Sequence, residues 1–214
     1  KITRISHAIR SLRLGDGTLA RTNGGRSYSR DAIDKVLEKT GIKLRSRISS
    51  SLTATGYERL ASGRSIIIMD CSHKSKNNYN GSLSFEMSVG RDRLIVNCGP
   101  TPNNDITWQK ALASSAAHSC LVIDDTNSSS IKNNGDTKIN VSREVTSGFE
   151  IISASHNGYE NLYSAIHKRI LKLDSRGTLL NGIDNIISGP GIKFKIHFHL
   201  HHKINVRLTR NKER

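Results

Sequence analysis

The chain is poor in the residues that mark several classes of protein. Its 214 residues include three cysteines, three prolines and one tryptophan. The cysteines (Cys71, Cys98 and Cys120) are odd in number and widely spaced, and no two form a CxxC pair. This pattern argues against both a disulfide framework and a zinc knuckle. We therefore interpret the cysteines as small buried hydrophobic side chains.

Long apolar runs are also missing. None approaches the roughly 20 residues that a membrane-spanning helix needs, and residues 1–17 lack the apolar core of a signal peptide. The first residue is Lys rather than Met, so we expect the chain to be a piece of a longer protein. Its length suits one domain, or one domain with a short appendage.

Acidic residues are scarce relative to basic ones. The chain has 33 Lys and Arg against 18 Asp and Glu, a formal net charge of +15, and residues 1–60 hold thirteen basic against five acidic side chains. Such a field favours polyanionic partners, although a solvated basic surface would give the same count. The basic residues are scattered singly, without interleaved aromatic residues for base stacking, which argues against nucleic acid.

One segment has the pattern of a short helix. In residues 29–41, Ile33, Val36 and Leu37 share a face, Ser29 or Asp31 can cap the start, and a glycine stands where the helix would end. This helix lies in residues 1–55, which we interpret as the link from a preceding domain.

From residue 56 onward the pattern is that of strands. Apolar and polar residues alternate over short runs, and loops rich in Asn, Ser and Gly separate the runs. The predicted strands are 65–69, 83–88, 94–96, 121–123, 138–141, 149–153, 166–173, 179–187, 193–200 and 204–208. About ten such strands predict an all-β fold, an antiparallel two-sheet β-sandwich over residues 56–214, preceded by a short, partly helical N-terminal segment.

Several blocks in this half occur in an order that resembles a known family. They are GYERLASGRSIIIMD (56–70), LSFEMSVGRDRLIVNCG (83–99), SSAAHSCLVIDD (114–125), ASHNGYENLYSAIHKRILKLD (154–174) and FHLHHKINV (198–206). Together they resemble the C-terminal β-sandwich of heparinase II/III-family polysaccharide lyases. The stretch LRLGDGTLARTNGG resembles the end of the helical toroid domain that precedes this sandwich in the family.

The resemblance implies a chemistry. Lyases of this family cleave uronate-containing chains by β-elimination, in which a base removes the proton next to the carboxyl group and an acid protonates the leaving glycosidic oxygen. The toroid supplies Tyr, His and Asn side chains. The sandwich supplies a His-x-His-x-Asp segment just before LSF, and many members hold a zinc ion with its second His, the Asp of LVDPG and the His of AAH.

Carried onto this chain, most of that pattern is altered. The two His positions fall on Asn77 and Tyr79, the following Asp position on Gly81 and the metal carboxylate on Asn97, while His118 alone matches. An amide and a phenol are poor zinc ligands, so we expect no cofactor and no metal site, with zinc the disfavoured alternative. The resemblance nevertheless makes Asn77 and Tyr79 the catalytic candidates, through a hydrogen bond to the substrate carboxylate and a proton donated to the leaving oxygen.

Other residues are candidates for contact with substrate. His118 and His156 lie in matching blocks, and His73 and Trp108 lie nearby in the sequence. Three of them also have a purely structural interpretation: a flexible loop histidine for His73, a hydrogen-bonded loop histidine for His156 and a core position for Trp108.

A second histidine cluster lies near the C-terminus. His197, His199 and His201 alternate along a predicted strand and would share one face. They form either a metal-binding ladder or, as we favour, a polar sheet face beside Lys193 and Lys195.

Two functions from different classes remain open. The favoured one is the C-terminal sandwich of a lyase that acts on an acidic polysaccharide together with its N-terminal α/α toroid, inactive as an isolated fragment. The alternative is a non-catalytic carbohydrate- or polyanion-binding module, and a general polyanion binder is a weaker third. We expect the periplasm or cell envelope of a bacterium, while the unpaired cysteines keep the cytoplasm open.

Overall fold

The structure is a computed structural model that describes residues 2–41, 48, 51–52, 55–73, 79–101, 105–128 and 137–207. Its α-helices are α1 (Ile2–Ser11), α2 (Arg30–Lys39), α3 (Ile106–Ala113) and α4 (Glu160–Tyr163), and a 3₁₀ helix spans Ser115–Ala117. No helix among the described residues is long and apolar enough to cross a membrane.

Helix α2 confirms the sequence-based expectation. Ser29 caps it by accepting a hydrogen bond from the amide of Ala32, and Ile33 and Leu37 are buried. Gly41 follows with a φ of 66°, the left-handed conformation in which glycine ends helices. Val36 is the exception, because it is 52% exposed.

Helices α1 and α3 were not predicted. The buried side chains of α1 are Ser6, Arg10 and Ser11, so this helix buries a polar face and carries no apolar periodicity toward the core. Helix α3 buries none of its residues. Amphipathic patterning detects helices only where they cover an apolar core.

The strands form two large antiparallel sheets and one small one. They are β1 (Ser51–Leu52), β2 (Tyr57–Ser62), β3 (Ser65–Asp70), β4 (Phe85–Val89), β5 (Asp92–Val96), β6 (Leu121–Ile123), β7 (Ile139–Val145), β8 (Phe149–Tyr159), β9 (Ala165–Asp174), β10 (Leu180–Ile187), β11 (Phe194–Ile196) and β12 (His199–Leu200). The six-stranded sheet has the order β1-β2-β3-β4-β5-β12, the four-stranded sheet has the order β10-β9-β8-β7, and β11 pairs with β6. The all-β sandwich prediction is confirmed.

The core lies between the two large sheets. Its fully buried side chains alternate along the strands and interdigitate across the interface, as in other aligned sandwiches. From the six-stranded sheet they include Leu60, Ile67, Met69 and Phe85, and from the four-stranded sheet Ile152, Ala154, Leu171 and Leu173. A smaller cluster forms around Leu121, Ile123, Tyr159 and Ala165.

Two predicted strands near the C-terminus differ from the structure. The single strand expected over residues 193–200 is divided into β11 and β12, which pair with β6 and β5 in different sheets. Residues 204–207 form no strand, and residue 208 lies outside the described residues. Apolar residues in this segment are exposed and alternate as in a strand, so the pattern predicts one continuous strand. The position at which the strand is interrupted depends on the strands it pairs with, and the local pattern does not show them.

The N-terminal segment that follows α1 is joined to the six-stranded sheet by a hydrogen-bonded network around Arg93. Arg93 of β5 donates to Glu86 of β4 at 3.0 Å and to Asp16 at 2.8 Å, and it also bonds Thr18 and the carbonyl of Leu19. Glu86 is fully buried. The segment is therefore an integral part of the sandwich surface next to the site described below.

Candidate functional site

His118 lies where three chain segments meet. It follows the 3₁₀ helix and is only 3% exposed. Its Nδ1 lies 2.7 Å from the carbonyl oxygen of Ser114. Because a carbonyl only accepts, Nδ1 must carry the proton, and the neutral ring then presents Nε2 as an acceptor.

Tyr79 stands against this imidazole. The ring centroids are 6.3 Å apart with an edge-on angle of 80°. Tyr79 is half-buried, and the other side of its ring lies against Gly24, where an added Cβ would fall 2.3 Å from ring carbons. Gly81 is held equally close to His118, since a Cβ there would lie 2.5 Å from the imidazole. Two glycines thus make room for this pair of rings.

Asn97, at the end of β5, occupies the adjacent position and is 1% exposed. Its Oδ1 accepts from the amide of Ser119 at 3.0 Å, and its Nδ2 donates to the carbonyl of Arg21 at 3.3 Å. The backbone amide of Asn97 donates to Glu86 at 2.7 Å. The carboxamide is therefore a structural bridge that joins the N-terminal segment, β5 and the segment after His118.

Trp108 and His73 are both at the surface. Trp108 lies on α3 and is 61% exposed, so it is not the core residue of the structural reading. His73 is exposed beyond the end of β3, with Nδ1 3.4 Å from the carbonyl of Thr137. Contact of either residue with substrate stays a prediction. Asn77 lies outside the described residues.

His156 is in the interior and does not face a surface groove. It is 1% exposed on β8, and its Nε2 is 3.1 Å from Nδ1 of His167 on β9. His167 in turn contacts Asp184 of β10 at 2.7 Å. The register of the sheet explains this, because His156 and His167 are direct cross-strand neighbours.

Arg169 completes this interior network and was missed by sequence reasoning. It is 1% exposed and binds both carboxylate oxygens of Asp184, at 2.8 and 3.0 Å. Its Nη1 donates to the carbonyls of Leu83 and Ser119, both at 2.8 Å. Arg169 thus links the four-stranded sheet to the segments that carry Tyr79 and His118. One signal was available: the polar residues His167 and Arg169 lie between Ala165 and Leu171 on the same face of β9, and that face is otherwise apolar.

The C-terminal histidines are partly brought together. The rings of His197 and His199 are stacked at 6.2 Å, and His199 contacts the carbonyl of Ala116 at 2.8 Å. His201 instead lies against His202, with ring centroids 4.2 Å apart. The shared face predicted for all three is therefore interrupted after His199. Among the residues that the structure describes, no three His, Cys, Asp or Glu side chains are grouped to hold a metal ion.

Residues 44–214 match the family profile described as "Heparinase II/III-like, C-terminal". The chain belongs to this family. The match begins at residue 44, twelve residues before the start of the sandwich domain predicted at residue 56. That domain boundary stays a prediction.

Solved members have the same fold. Heparan sulfate lyase HepC from Pedobacter heparinus is 15% identical with a TM-score of 0.72, over 91% of this chain and 33% of that one. A heparinase III structure is 13% identical with a TM-score of 0.72, over 92% and 35%. Among curated proteins, FtsZ-localized protein C of Caulobacter vibrioides is 27% identical over 98% of this chain and 40% of its own length. The chain thus spans about a third of the solved chains and 40% of this relative.

The heparinase-family zinc does not fit the residues found here. The structure brings the three implied ligand positions together, since Tyr79 contacts His118 and Asn97 bonds the residue after His118. However, both ends of the Asn97 carboxamide are occupied by backbone groups, and a phenol replaces the second imidazole. One histidine is too few for a zinc site, which normally has three or four protein ligands.

Proposed function

We propose that this chain is the C-terminal sandwich of a heparinase II/III-type lyase that cleaves an acidic polysaccharide by β-elimination. The observation that supports it most is the paired placement of Tyr79 and His118 at the positions where the family has histidines. Tyr79 is half-buried, whereas His118 is buried and is held by the carbonyl of Ser114. This arrangement suits a phenol that reacts and an imidazole that positions it.

The proposed reaction needs both parts of the whole protein. A base removes the proton next to the uronate carboxyl group, the electron pair forms the double bond, and the glycosidic C–O bond breaks. Tyr79 donates its phenolic proton to the departing oxygen, and basic side chains neutralise the carboxylate. The base must come from the N-terminal α/α toroid proposed as partner, so the isolated chain is expected to be inactive.

The test uses the full-length protein with heparan sulfate, heparin and alginate. The unsaturated uronate formed by β-elimination is followed by ultraviolet absorbance. Tyr79→Phe should lower kcat/KM by about 10²-fold or more, since general acid catalysis contributes roughly 10²–10⁴-fold. Tyr28→Phe is the matched control, because Tyr28 is 55% exposed. Full activity of Tyr79→Phe would overturn the role of Tyr79, and no turnover of any substrate would overturn the lyase.

A second candidate is a non-catalytic carbohydrate- or polyanion-binding module. Two observations favour it: the altered histidine positions, and the similarity to a relative named for its localisation with FtsZ. This candidate predicts binding of acidic polysaccharide without turnover. It also predicts that a fluorescent fusion of the full-length protein gathers at the division site of the cell. A uniform distribution together with turnover would contradict it.

We propose the periplasm or cell envelope of a bacterium as the compartment, with the cytoplasm as the alternative. We base this compartment on the acidic polysaccharide that is proposed above as the substrate. Fractionation of cells that produce the full-length protein decides between them.

A further inference from the structure

A cleft of about 260 Å³ opens beside Asn97, between the N-terminal segment and the loop after β5. One wall carries two arginines, and the other carries an exposed thiol. The lining residues are Arg21, Arg26, Ser27, Cys98, Pro100 and Thr101. The volume is that of a small polar site, large enough for one anionic group with part of a sugar ring.

Arg21 is held at this cleft by the backbone around it. Its amide donates to buried Glu86 and its carbonyl accepts from Asn97, so the residue is fixed at both ends. Its side chain runs over Gly99, where an added Cβ would lie 3.2 Å from Cδ. Gly99 has a φ of 74°, so glycine suits both the backbone conformation and the close approach.

The guanidinium of Arg21 has bonding capacity left over. Its Nη2 reaches Ser27 at a long 3.4 Å. Its Nε is buried and has no hydrogen-bond partner among the residues that the structure describes. A buried donor without a partner is costly, and this cost is removed if a ligand supplies the acceptor.

The charges around the cleft favour an anion. None of the lining residues is acidic. The carboxylate of Glu86, which accepts from the amide of Arg21, is fully buried and is already bonded by Arg93. The pKa of neighbouring His201 is lowered by desolvation and by the charges of His202, Arg93, Lys203 and Arg21. This direction is the one expected for a histidine in a positive potential.

We propose that this cleft binds one carboxylate or sulfate group of an acidic sugar, with Arg21 and Arg26 as the ligands. The proposal rests on the polysaccharide function proposed above and deepens it by assigning a subsite. Arginine suits this task because its planar donors match the oxygens of carboxylate and sulfate groups. The subsite lies next to the Tyr79 and His118 pair, linked to it through Asn97.

Cys98 provides a reporter within the cleft. It is exposed, so the sequence-based interpretation of all three cysteines as buried is wrong for Cys98 and correct for Cys71 and Cys120. In the full-length protein, alkylation of Cys98 by neutral iodoacetamide is followed by peptide mass analysis at one fixed pH. The probes are a heparan sulfate oligosaccharide, inorganic sulfate and a neutral oligosaccharide. The rate with each probe is compared with the rate of the same variant without it.

We expect the heparan sulfate oligosaccharide to slow alkylation of Cys98 several-fold and the neutral oligosaccharide to leave it unchanged. Arg21→Gln and Arg26→Gln should each weaken binding about tenfold or more, the loss typical of one charge-assisted hydrogen bond. Arg91→Gln is the matched control, because it removes one exposed positive charge from the β4–β5 turn. It should change the affinity less than about twofold.

The outcomes separate this subsite from the wider function. Binding of the oligosaccharide that is unaffected by Arg21→Gln and Arg26→Gln, without protection of Cys98, overturns the subsite and leaves the polysaccharide function standing. Protection by inorganic sulfate but not by the heparan sulfate oligosaccharide overturns the sugar ligand of this cleft, and the polysaccharide function is then decided separately by the turnover assay. Equal weakening by Arg91→Gln also overturns the subsite, because general charge would then explain the effect.

Discussion

At the scale of single residues, Arg169 is a buried charge that bonds three different segments of the chain. Its guanidinium bonds Asp184 and two backbone carbonyls, and it lies 5.5 Å from the centre of the Phe85 ring. Removing one partner of a buried pair leaves the other charge uncompensated, which is far more costly than exchanging both for apolar residues.

We expect Arg169→Met to lower the free energy of unfolding by about 3–5 kcal/mol, the cost of breaking a buried pair. Urea denaturation of this chain measures it. The control is Arg176→Met, whose side chain is 84% exposed and which should change stability by less than about 0.5 kcal/mol. The double variant Arg169→Met with Asp184→Leu should recover part of the loss. Equal stability of Arg169→Met and Arg176→Met would contradict this assignment.

The buried histidines form a second residue-scale network, and its proton positions can be assigned. The amide of Gly158 donates to Nδ1 of His156. Nε2 of His156 must then donate to Nδ1 of His167, whose Nε2 donates to Asp184. Both rings are neutral in this chain of bonds, and an added proton would set two donors against each other. Burial accordingly lowers the pKa of His167, and the hydrogen bond to Asp184 opposes this decrease.

This network makes stability depend on pH. Because the pKa of His167 is lower in the folded than in the unfolded chain, the unfolded chain takes up the proton first as the pH falls below about 6.5. Burial alone would raise the pKa of Asp184, but bonds from His167 and Arg169 lower it to about 2. The lowered pKa of Asp184 contributes roughly 2 kcal/mol to the free energy of unfolding above pH 4, and this contribution is lost as the pH falls toward 2.

We therefore expect the free energy of unfolding to decrease between pH 7 and pH 5, as measured by urea denaturation at each pH. His167→Gln should be less stable at pH 7 but should show a smaller decrease over this range. A wild-type protein that gains stability on acidification would contradict the neutral assignment.

At the scale of elements, the bonds of Arg93 and Glu86 join the N-terminal segment to the six-stranded sheet. Arg93 bonds Asp16, Thr18 and the carbonyl of Leu19, and Glu86 accepts from the amide of Arg21. Burial raises the pKa of Glu86, and Arg93 together with the amides of Asn97 and Arg21 opposes that rise. Asp16 is the other carboxylate of the network; burial opposes ionisation, but Arg93 and Thr18 bring its pKa below the usual range. Arg93 and Glu86 thus connect the segment from Asp16 to Arg21 to the sandwich.

Arg93→Leu should release this connection. Hydrogen exchange of the Arg21 amide, which donates to Glu86, should then accelerate about tenfold or more, while β9 exchanges as before. Arg91→Leu, an exposed neighbour in the same hairpin, is the control and should leave exchange unchanged. Acceleration throughout the chain would instead indicate global destabilisation.

At the scale of the whole molecule, the family fold persists while the ligands of its metal change. Tyr79 and Asn97 stand at two of the three ligand positions, and the carboxamide of Asn97 serves the backbone. The fold is stabilised by burial between two sheets and by the Arg169 network, neither of which requires an ion.

We therefore predict that a metal chelator leaves the Tm of the purified protein unchanged. Zinc measured after dialysis should be well below one ion per chain. A heparinase-family protein that retains its full histidine set is the control, and its Tm should fall with chelator. Stoichiometric zinc together with a chelator-dependent Tm would contradict the prediction.

The sandwich and helix α2 could be predicted from local signals in the sequence, namely alternation along strands and a capping serine before an amphipathic turn. The neighbourhood of Tyr79, Asn97 and His118 was implied by the resemblance of several blocks, in order, to the heparinase II/III family. Tertiary structure alone decided that His156 is buried, that the segment 193–200 is divided between two sheets, and that Arg169 and Glu86 lie inside. The physical reason is that a buried charge is stable only where distant partners meet it, and those partners come from segments that local patterning does not connect.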